Sequence, residues 1–312
     1  GRTAAERMLV NAEKSDPDIL QQGEYIAFGH PSPSGRWVAV GIGRAGSELF
    51  AMRFLDMRSL SFSGPRVDGM SMPGRGVEWL SDDELFAYRA NDINGGRVFK
   101  QVRVHLIDRR TGSVSAPLFG HGVPLADDTT EDDIPRVRVT ADRRTVIGFL
   151  RRGVSRSQRV FVSSVAGLRG PSPRWTRLAP ELSDIVDDDV AASGLVVLCD
   201  DGKGEPRILR LPYDGTAAIE LYSRVNGSPF SLLVAGDVLY IASREAGAGA
   251  LYAGTPHGGP LRPVALPPGT SVANMVDDRF GRRLLVQVEG WTVSPRWLSV
   301  KGTKAAPATI PG

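Results

Sequence analysis

A strand–turn–strand pattern that recurs along the chain limits the possible folds more than any other feature. Its clearest copy is Pro135–Val165, where arginines alternate with valines before a polar turn, and Thr145–Leu150 is then apolar and β-branched. Alternation with a period of two residues is typical of half-buried β-strands. A basic loop, Arg151–Arg159, leads to another expected strand at Val160–Val165.

Six copies of this pattern follow one another. The first apolar residues after the turns lie 43 to 61 residues apart, at Trp37, Leu85, Val146, Val196, Leu239 and Leu284. Units of four short strands at this spacing are typical of β-propellers, whose blades bury their faces only against neighbouring blades. No amphipathic helix separates the copies, which argues against a parallel α/β fold. The sequence predicts an all-β propeller of four-stranded antiparallel blades with six complete repeats.

The repeats predict a single propeller domain over residues 1–312. Residues 1–30 would supply an end strand and the approach to the first repeat, residues 31–300 the blades, and residues 301–312 a tail or linker. Closure of the propeller would pair Met8–Val10 with Ala308–Ile310, or would use strands that lie before the first residue.

Charge and cysteine content exclude several classes of partner. Lys and Arg number 38 against 35 Asp and Glu, and no basic stripe is interleaved with aromatic residues, so no nucleic-acid partner is expected. No apolar run is long enough for a membrane helix, so no membrane partner is expected. Cys199 is the one cysteine and excludes an intrachain disulfide, which predicts a reducing, cytoplasmic location. Its position in an apolar strand predicts a buried structural thiol.

Motifs that carry chemistry are missing from the sequence. The four histidines, His30, His105, His121 and His257, lack metal-ligand spacing, and no G-x-S-x-G motif occurs. The glycine-rich Gly41–Gly46 lies between two strands and opens no helix, so it is not a dinucleotide site. Acidic residues within Asp127–Asp133 and Asp187–Asp189 lack calcium-loop spacing and are expected to be solvated. No catalytic residue, metal or cofactor is predicted.

Several segments carry a resemblance to a known family. The order of these segments resembles that in the propeller domain of prolyl-oligopeptidase-like serine peptidases, and the likeness runs from Met8 to Val300. The segments are HPSPSGRWVAVGIGRAGSE, VEWLSDDELFAY, RVRVTADRRTVIGFLRRGVSRSQRVFV, WTRLAP and LLVQVEGWTVSPRWLSV.

The resemblance implies a seven-bladed propeller that covers an α/β-hydrolase domain and admits substrates by size. The Ser, Asp and His of that family's triad belong to the hydrolase domain, so this chain is expected to be non-catalytic alone and to partner a hydrolase domain in the same or another chain. The resemblance also implies that Arg151 and Val154 lie near bound peptide, and that Ile134 and Phe86 line the interdomain cavity. An arginine there would hydrogen-bond a substrate carbonyl.

Other readings of the same residues stay open. Phe86 and Ile134 would also suit plain blade packing, and Arg151 would suit a solvated surface. The chain would also suit a stand-alone propeller that binds a peptide or small molecule in its axial channel, or a propeller enzyme with a repurposed channel site. Whether the chain is itself an enzyme is therefore an open question at this stage.

Overall fold

The protein is described from a computed structural model. The chain forms two compact units, Arg7–Arg177, called here the N-terminal unit, and Leu178–Gly312 with Gly1–Glu6, called the C-terminal unit. The structure describes residues 20, 23–71, 77–89, 100–125, 128–155, 157–180, 182, 184–200, 205–278 and 283–308.

The N-terminal unit contains two antiparallel sheets. Strands β1 to β8 are joined in one sheet, in which β4 meets β6 through the single pair of Ser71 and Tyr88, so that it divides into two groups of four. Strands β9 to β12 form the second sheet, in the order β12-β11-β10-β9. The strands are β1 (Glu24–Pro31), β2 (Trp37–Arg44), β3 (Leu49–Asp56), β4 (Ser61–Ser71), β5 (Glu78–Trp79), β6 (Glu84–Arg89), β7 (Arg103–Asp108), β8 (Phe119–Gly120), β9 (Asp133–Val139), β10 (Thr145–Arg152), β11 (Gln158–Ser164) and β12 (Thr176–Leu178).

The C-terminal unit contains three sheets of four strands each within its described residues. In each sheet the strands pair in chain order, β13 to β16, β17 to β20 and β21 to β24. The strands are β13 (Ile185–Ala191), β14 (Gly194–Asp200), β15 (Pro206–Leu211), β16 (Ile219–Tyr222), β17 (Ser228–Ala235), β18 (Val238–Glu245), β19 (Ala248–Gly254), β20 (Arg262–Pro263), β21 (Ser271–Asp278), β22 (Arg283–Gly290), β23 (Val293–Lys301) and β24 (Lys304–Pro307).

The hydrophobic cores lie between neighbouring groups of strands inside each unit. Phe86 of β6, Phe119 of β8 and Phe161 of β11 share one cluster in the N-terminal unit. In the C-terminal unit, Tyr240 of β18 and Val286 of β22 share another. Each sheet buries its faces against the next sheet along the chain, because a lone four-stranded sheet would leave its apolar faces in water.

The expected all-β propeller architecture is confirmed, since the described residues form six groups of four antiparallel strands. Two boundaries differ from expectation. Val165 ends no strand; it opens the short helix α1 (Val165–Leu168), because the Ser164 Oγ accepts a hydrogen bond from the Gly167 N–H at 3.0 Å and caps the turn. Residues expected to form a tail or linker include β24, which pairs with β23. The expected strand Met8–Val10 lies outside the described residues, as does most of Ala308–Ile310.

Acidic side chains of β13 bind the next strand of the C-terminal unit, so the expectation that Asp187–Asp189 are solvated is wrong. The Asp187 carboxylate accepts hydrogen bonds from the Ser231 Oγ at 2.7 Å and the Leu232 N–H at 2.9 Å. The Asp189 carboxylate accepts one from the Val234 N–H at 2.8 Å. These carboxylates satisfy donors of β17 that no neighbouring strand reaches, and so hold two sheets together.

Candidate ligand-binding site

The hairpin of β10 and β11 brings together two of the residues expected to contact substrate. Arg151 lies near the end of β10, opposite Ile134 of β9 on one side and Gln158 of β11 on the other. Arg151 is exposed, whereas Ile134 is half-buried. The antiparallel register places their Cβ atoms on one face of the sheet, side by side.

Val154 stands at the tip of the same hairpin. Its side chain is 100% exposed, which is unusual for a β-branched apolar residue in a folded protein. The tip is held by the Gly153 N–H, which donates to the Asp132 carbonyl at 2.9 Å, and by the Ser155 N–H, which donates to the Arg152 carbonyl at 3.0 Å. Gly153 adopts a φ of 51°, which favours glycine, so the turn presents Val154 in a fixed position.

A buried charge cluster supports this hairpin from below. Asp133 has a fully buried side chain, so the expectation that this acid is solvated is wrong. Its Oδ2 lies 2.7 Å from the Arg159 Nη2 and accepts a hydrogen bond from the Thr130 N–H at 2.7 Å. Its Oδ1 lies 3.7 Å from the Arg152 Nε. Two arginines of the hairpin are therefore committed to one buried carboxylate, which ties the loop to the start of β9.

Arg151 differs from these two arginines. Among the described residues, none forms a hydrogen bond or ion pair with its guanidinium. A guanidinium carries five N–H donors in a planar fork and stays charged at all physiological pH values. Arg151 therefore has donors available for a carbonyl or carboxylate oxygen of a ligand, beside the apolar Val154 side chain.

Phe86 lies elsewhere in the N-terminal unit. It is 1% exposed and sits in the core cluster with Tyr88, Val104 and Phe119. The neighbouring Tyr88 is also buried, and burial raises the pKa of its phenol to about 12. The structure thus brings Arg151, Ile134 and Val154 into one hairpin region and places Phe86 in the packing between two groups of strands.

The geometry of the described residues offers ligand binding more readily than bond cleavage. Within those residues, no cluster of three or more His, Cys, Asp or Glu side chains has the arrangement of a metal site. Cys199 is buried, and its burial raises the pKa of the thiol to about 12, so the thiolate form that acts as a nucleophile is scarce near neutral pH. No helix among the described residues has the length and apolar content needed to span a bilayer.

Sequence reasoning missed the residues that hold the hairpin in place. Asp133 and Arg159 were grouped with a solvated acidic loop and a basic loop, yet they form the buried pair beneath Arg151. The available signal was the position of Asp133 just before the alternating strand, where its side chain points to the buried face of β9. Runs of neighbouring charges hid that signal.

Comparisons with known proteins identify the fold. No family model matches the sequence, and no curated protein matches it. A solved prolyl endopeptidase has a TM-score of 0.79 and 18% identity, over 98% of this chain and 43% of that chain. A post-proline cleaving enzyme from Rickettsia typhi has a TM-score of 0.72 and 12% identity, over 96% of this chain and 46% of that chain.

A third structure consists of a propeller alone. The β-propeller domain of the trilobed protease from Pyrococcus furiosus has a TM-score of 0.63 and 12% identity, over 92% of this chain and 83% of that chain. The chain therefore has the β-propeller fold found in prolyl oligopeptidase structures. It spans less than half the length of the prolyl endopeptidase and of the Rickettsia enzyme.

Proposed function

We propose that this chain is the propeller part of a prolyl-oligopeptidase-like serine peptidase, that it is non-catalytic alone, and that it gates peptide access to an α/β-hydrolase domain in the same or another chain. One observation carries the proposal: the fold matches 98% of this chain but 43% of the prolyl endopeptidase, so the remainder of that enzyme has no counterpart here. A reducing, cytoplasmic location is part of the proposal and is supported by the presence of one buried cysteine.

Within this proposal, the hairpin of β10 and β11 is the peptide contact. The free donors of Arg151 would bind a backbone carbonyl of the peptide, Val154 would contact an apolar side chain, and Ile134 would support Arg151. Phe86 would act on the same region through packing rather than by touching the ligand. No cofactor or metal is required for this role.

The catalytic part of the proposal is tested with a proline-containing chromogenic peptide. This chain alone should give no turnover above the buffer rate, whereas the same chain joined to, or mixed with, a hydrolase domain that carries G-x-S-x-G should cleave the peptide. Turnover by the chain alone that a serine-directed inhibitor blocks would contradict the proposal.

The binding part is tested with a non-cleavable proline peptide and isothermal titration calorimetry. We expect Arg151→Ala to weaken binding about tenfold, because a charged donor to the peptide is lost. Arg144→Ala is the matched control, since Arg144 is exposed on the turn at the opposite end of the same sheet and should leave the affinity unchanged. Equal losses in the two variants would count against a site at the hairpin.

A further inference from the structure

A second arginine of the chain occupies the same repeat position as Arg151. In β10 the arginine comes five residues after Val146, and in β18 Arg244 comes five residues after Leu239; both apolar residues pair with the valine that precedes the turn. Arg244 is exposed, and its guanidinium forms no hydrogen bond or ion pair with the part of the chain that the structure describes. Two blades thus present an available guanidinium at equivalent positions.

Arg244 has an aromatic surface beside it. Its guanidinium carbon lies 4.8 Å from the centre of the Phe230 ring, a cation–π distance. The ring holds the side chain without using any of its N–H donors. An arginine stacked in this way has lost much of its rotational freedom before a ligand arrives, so less entropy is lost on binding.

A β-bulge directs Phe230 out of the regular strand. The register of β17 against β18 shifts between Pro229 and Ser231, so Phe230 is an extra residue in the strand. Bulges turn side chains away from the regular pleat and are common beside binding sites. Phe230 packs against the neighbouring core by only part of its surface.

The adjacent strand of the C-terminal unit has the same bulge. The register of β13 shifts between Ile185 and Asp187, and the extra residue, Val186, is 49% exposed. The hydrogen bond of 2.7 Å between the Ser231 Oγ and the Asp187 carboxylate joins the residues that directly follow the two bulges. Val186 and Phe230 therefore lie at the same level on neighbouring strands, and together they form an exposed apolar surface next to Arg244.

We propose that Arg244, Phe230 and Val186 form a binding site for a carboxylate attached to an apolar or aromatic group. The planar guanidinium fork matches a carboxylate with two parallel N–H···O bonds, and the Phe230 ring and Val186 contact the adjoining apolar group. The nearby Asp187 is already bonded to the Ser231 Oγ and the Leu232 N–H, which holds its carboxylate on β17. The site goes beyond the proposed gating function, because it lies in the other unit and selects a different chemical group.

The chemistry could come from a peptide C-terminus or from a small aromatic acid. The test titrates the whole chain with three probes by isothermal titration calorimetry: acetyl-Gly-Pro-Phe with a free carboxylate, the same tripeptide as its C-terminal amide, and 3-phenylpropionate. The free acid should bind at least tenfold more tightly than the amide, because the amide offers no charge to Arg244. Tighter binding of the tripeptide than of 3-phenylpropionate assigns the site to peptide C-termini, and the reverse order assigns it to small acids.

Variants locate the binding at this site. Arg244→Gln should reduce the affinity for the free acid about tenfold, and Arg244→Lys should fall between, because lysine keeps the charge but loses the planar fork. Phe230→Leu keeps an apolar side chain and should lower the affinity severalfold through loss of the ring face. Arg262→Gln is the control, since Arg262 is exposed on β20 of the same sheet. Circular dichroism of each variant verifies that the strands are retained.

Three results would overturn the inference: no binding of either acid, equal affinity for acid and amide, or an equal loss in Arg262→Gln. The proposed gating function stands or falls separately. Arg151→Ala should leave the titration with the free acid unchanged, so a failure at Arg244 and a failure at Arg151 are seen in different variants.

Discussion

Single carboxylates decide how neighbouring sheets of this protein attach. Asp187 and Asp189 lie two residues apart on β13, so their side chains share one face of the strand and both reach backbone donors of β17. In the N-terminal unit, the Glu78 Oε1 accepts the Val139 N–H at 3.2 Å in the same manner. Acids in such strands are structural acceptors, which composition alone does not distinguish from solvated surface acids.

Replacing one of these acceptors should destabilise the fold measurably. In Asp189→Ala the Val234 N–H, which belongs to a buried residue, loses its charged acceptor, and we expect a loss of about 1–3 kcal/mol in the free energy of unfolding. Urea denaturation followed by circular dichroism measures it. Asp237→Ala is the control, because Asp237 lies exposed in the turn between β17 and β18 and should change stability little. A matching loss in both variants would argue against the role given to Asp189.

Close approach of side chains explains part of the glycine-rich segment of β2. A Cβ added to Gly41 would lie 2.1 Å from the Phe28 ring, and one added to Gly43 would lie 2.6 Å from the Tyr25 ring. Both glycines sit opposite β1, and their lack of a side chain makes room for aromatic rings on that strand. The sequence placed this segment between two strands correctly, but the rings that require the glycines come from residues 13 and 18 positions earlier and left no local signal.

Turns, as elements, join neighbouring groups of strands in the N-terminal unit. The turn between β1 and β2 contacts the turn between β5 and β6, where the Asp82 carboxylate accepts hydrogen bonds from the Ser34 hydroxyl and from the Ser34 N–H at 3.1 Å. Burial raises the pKa of Asp82, but these hydrogen bonds, with a further one from Ser32, outweigh it and leave the pKa below its ordinary value. The charged form of Asp82 is therefore the one that the folded state favours.

This contact should make stability depend on acid pH. Because the pKa of Asp82 is lower in the folded than in the unfolded state, its contribution is complete above the unfolded value of 3.8 and is lost as pH falls through the folded value. Asp82→Asn should lower the Tm at pH 7, and the difference from the parent chain should shrink below about pH 4. Melting curves from pH 2 to pH 7 measure this, with Glu48→Gln, on an exposed loop, as control. A difference that stays constant with pH would contradict the assignment.

For the whole molecule, the repeat in the sequence was enough to predict the fold class, and the site was harder to predict. Alternation and turn residues set each four-stranded sheet locally, so the six groups of strands were predictable. The hairpin of Arg151 was found through the family resemblance. The stacking of Arg244 on Phe230 depends on a one-residue bulge, and a bulge shifts a register without changing composition, so the sequence pattern did not reveal it.

The buried thiol of Cys199 gives the protein an internal reporter of opening. Because the chain has one cysteine and that side chain is buried in β14, a thiol reagent can react only when the strands around it separate. Labelling with a chromogenic disulfide reagent at pH 8 should be slow in the native state and complete within minutes in denaturant, where the pKa returns from about 12 toward its ordinary value. Rapid native labelling would contradict the burial. Measured against denaturant, the labelling rate gives the free energy of exposing one sheet of the C-terminal unit.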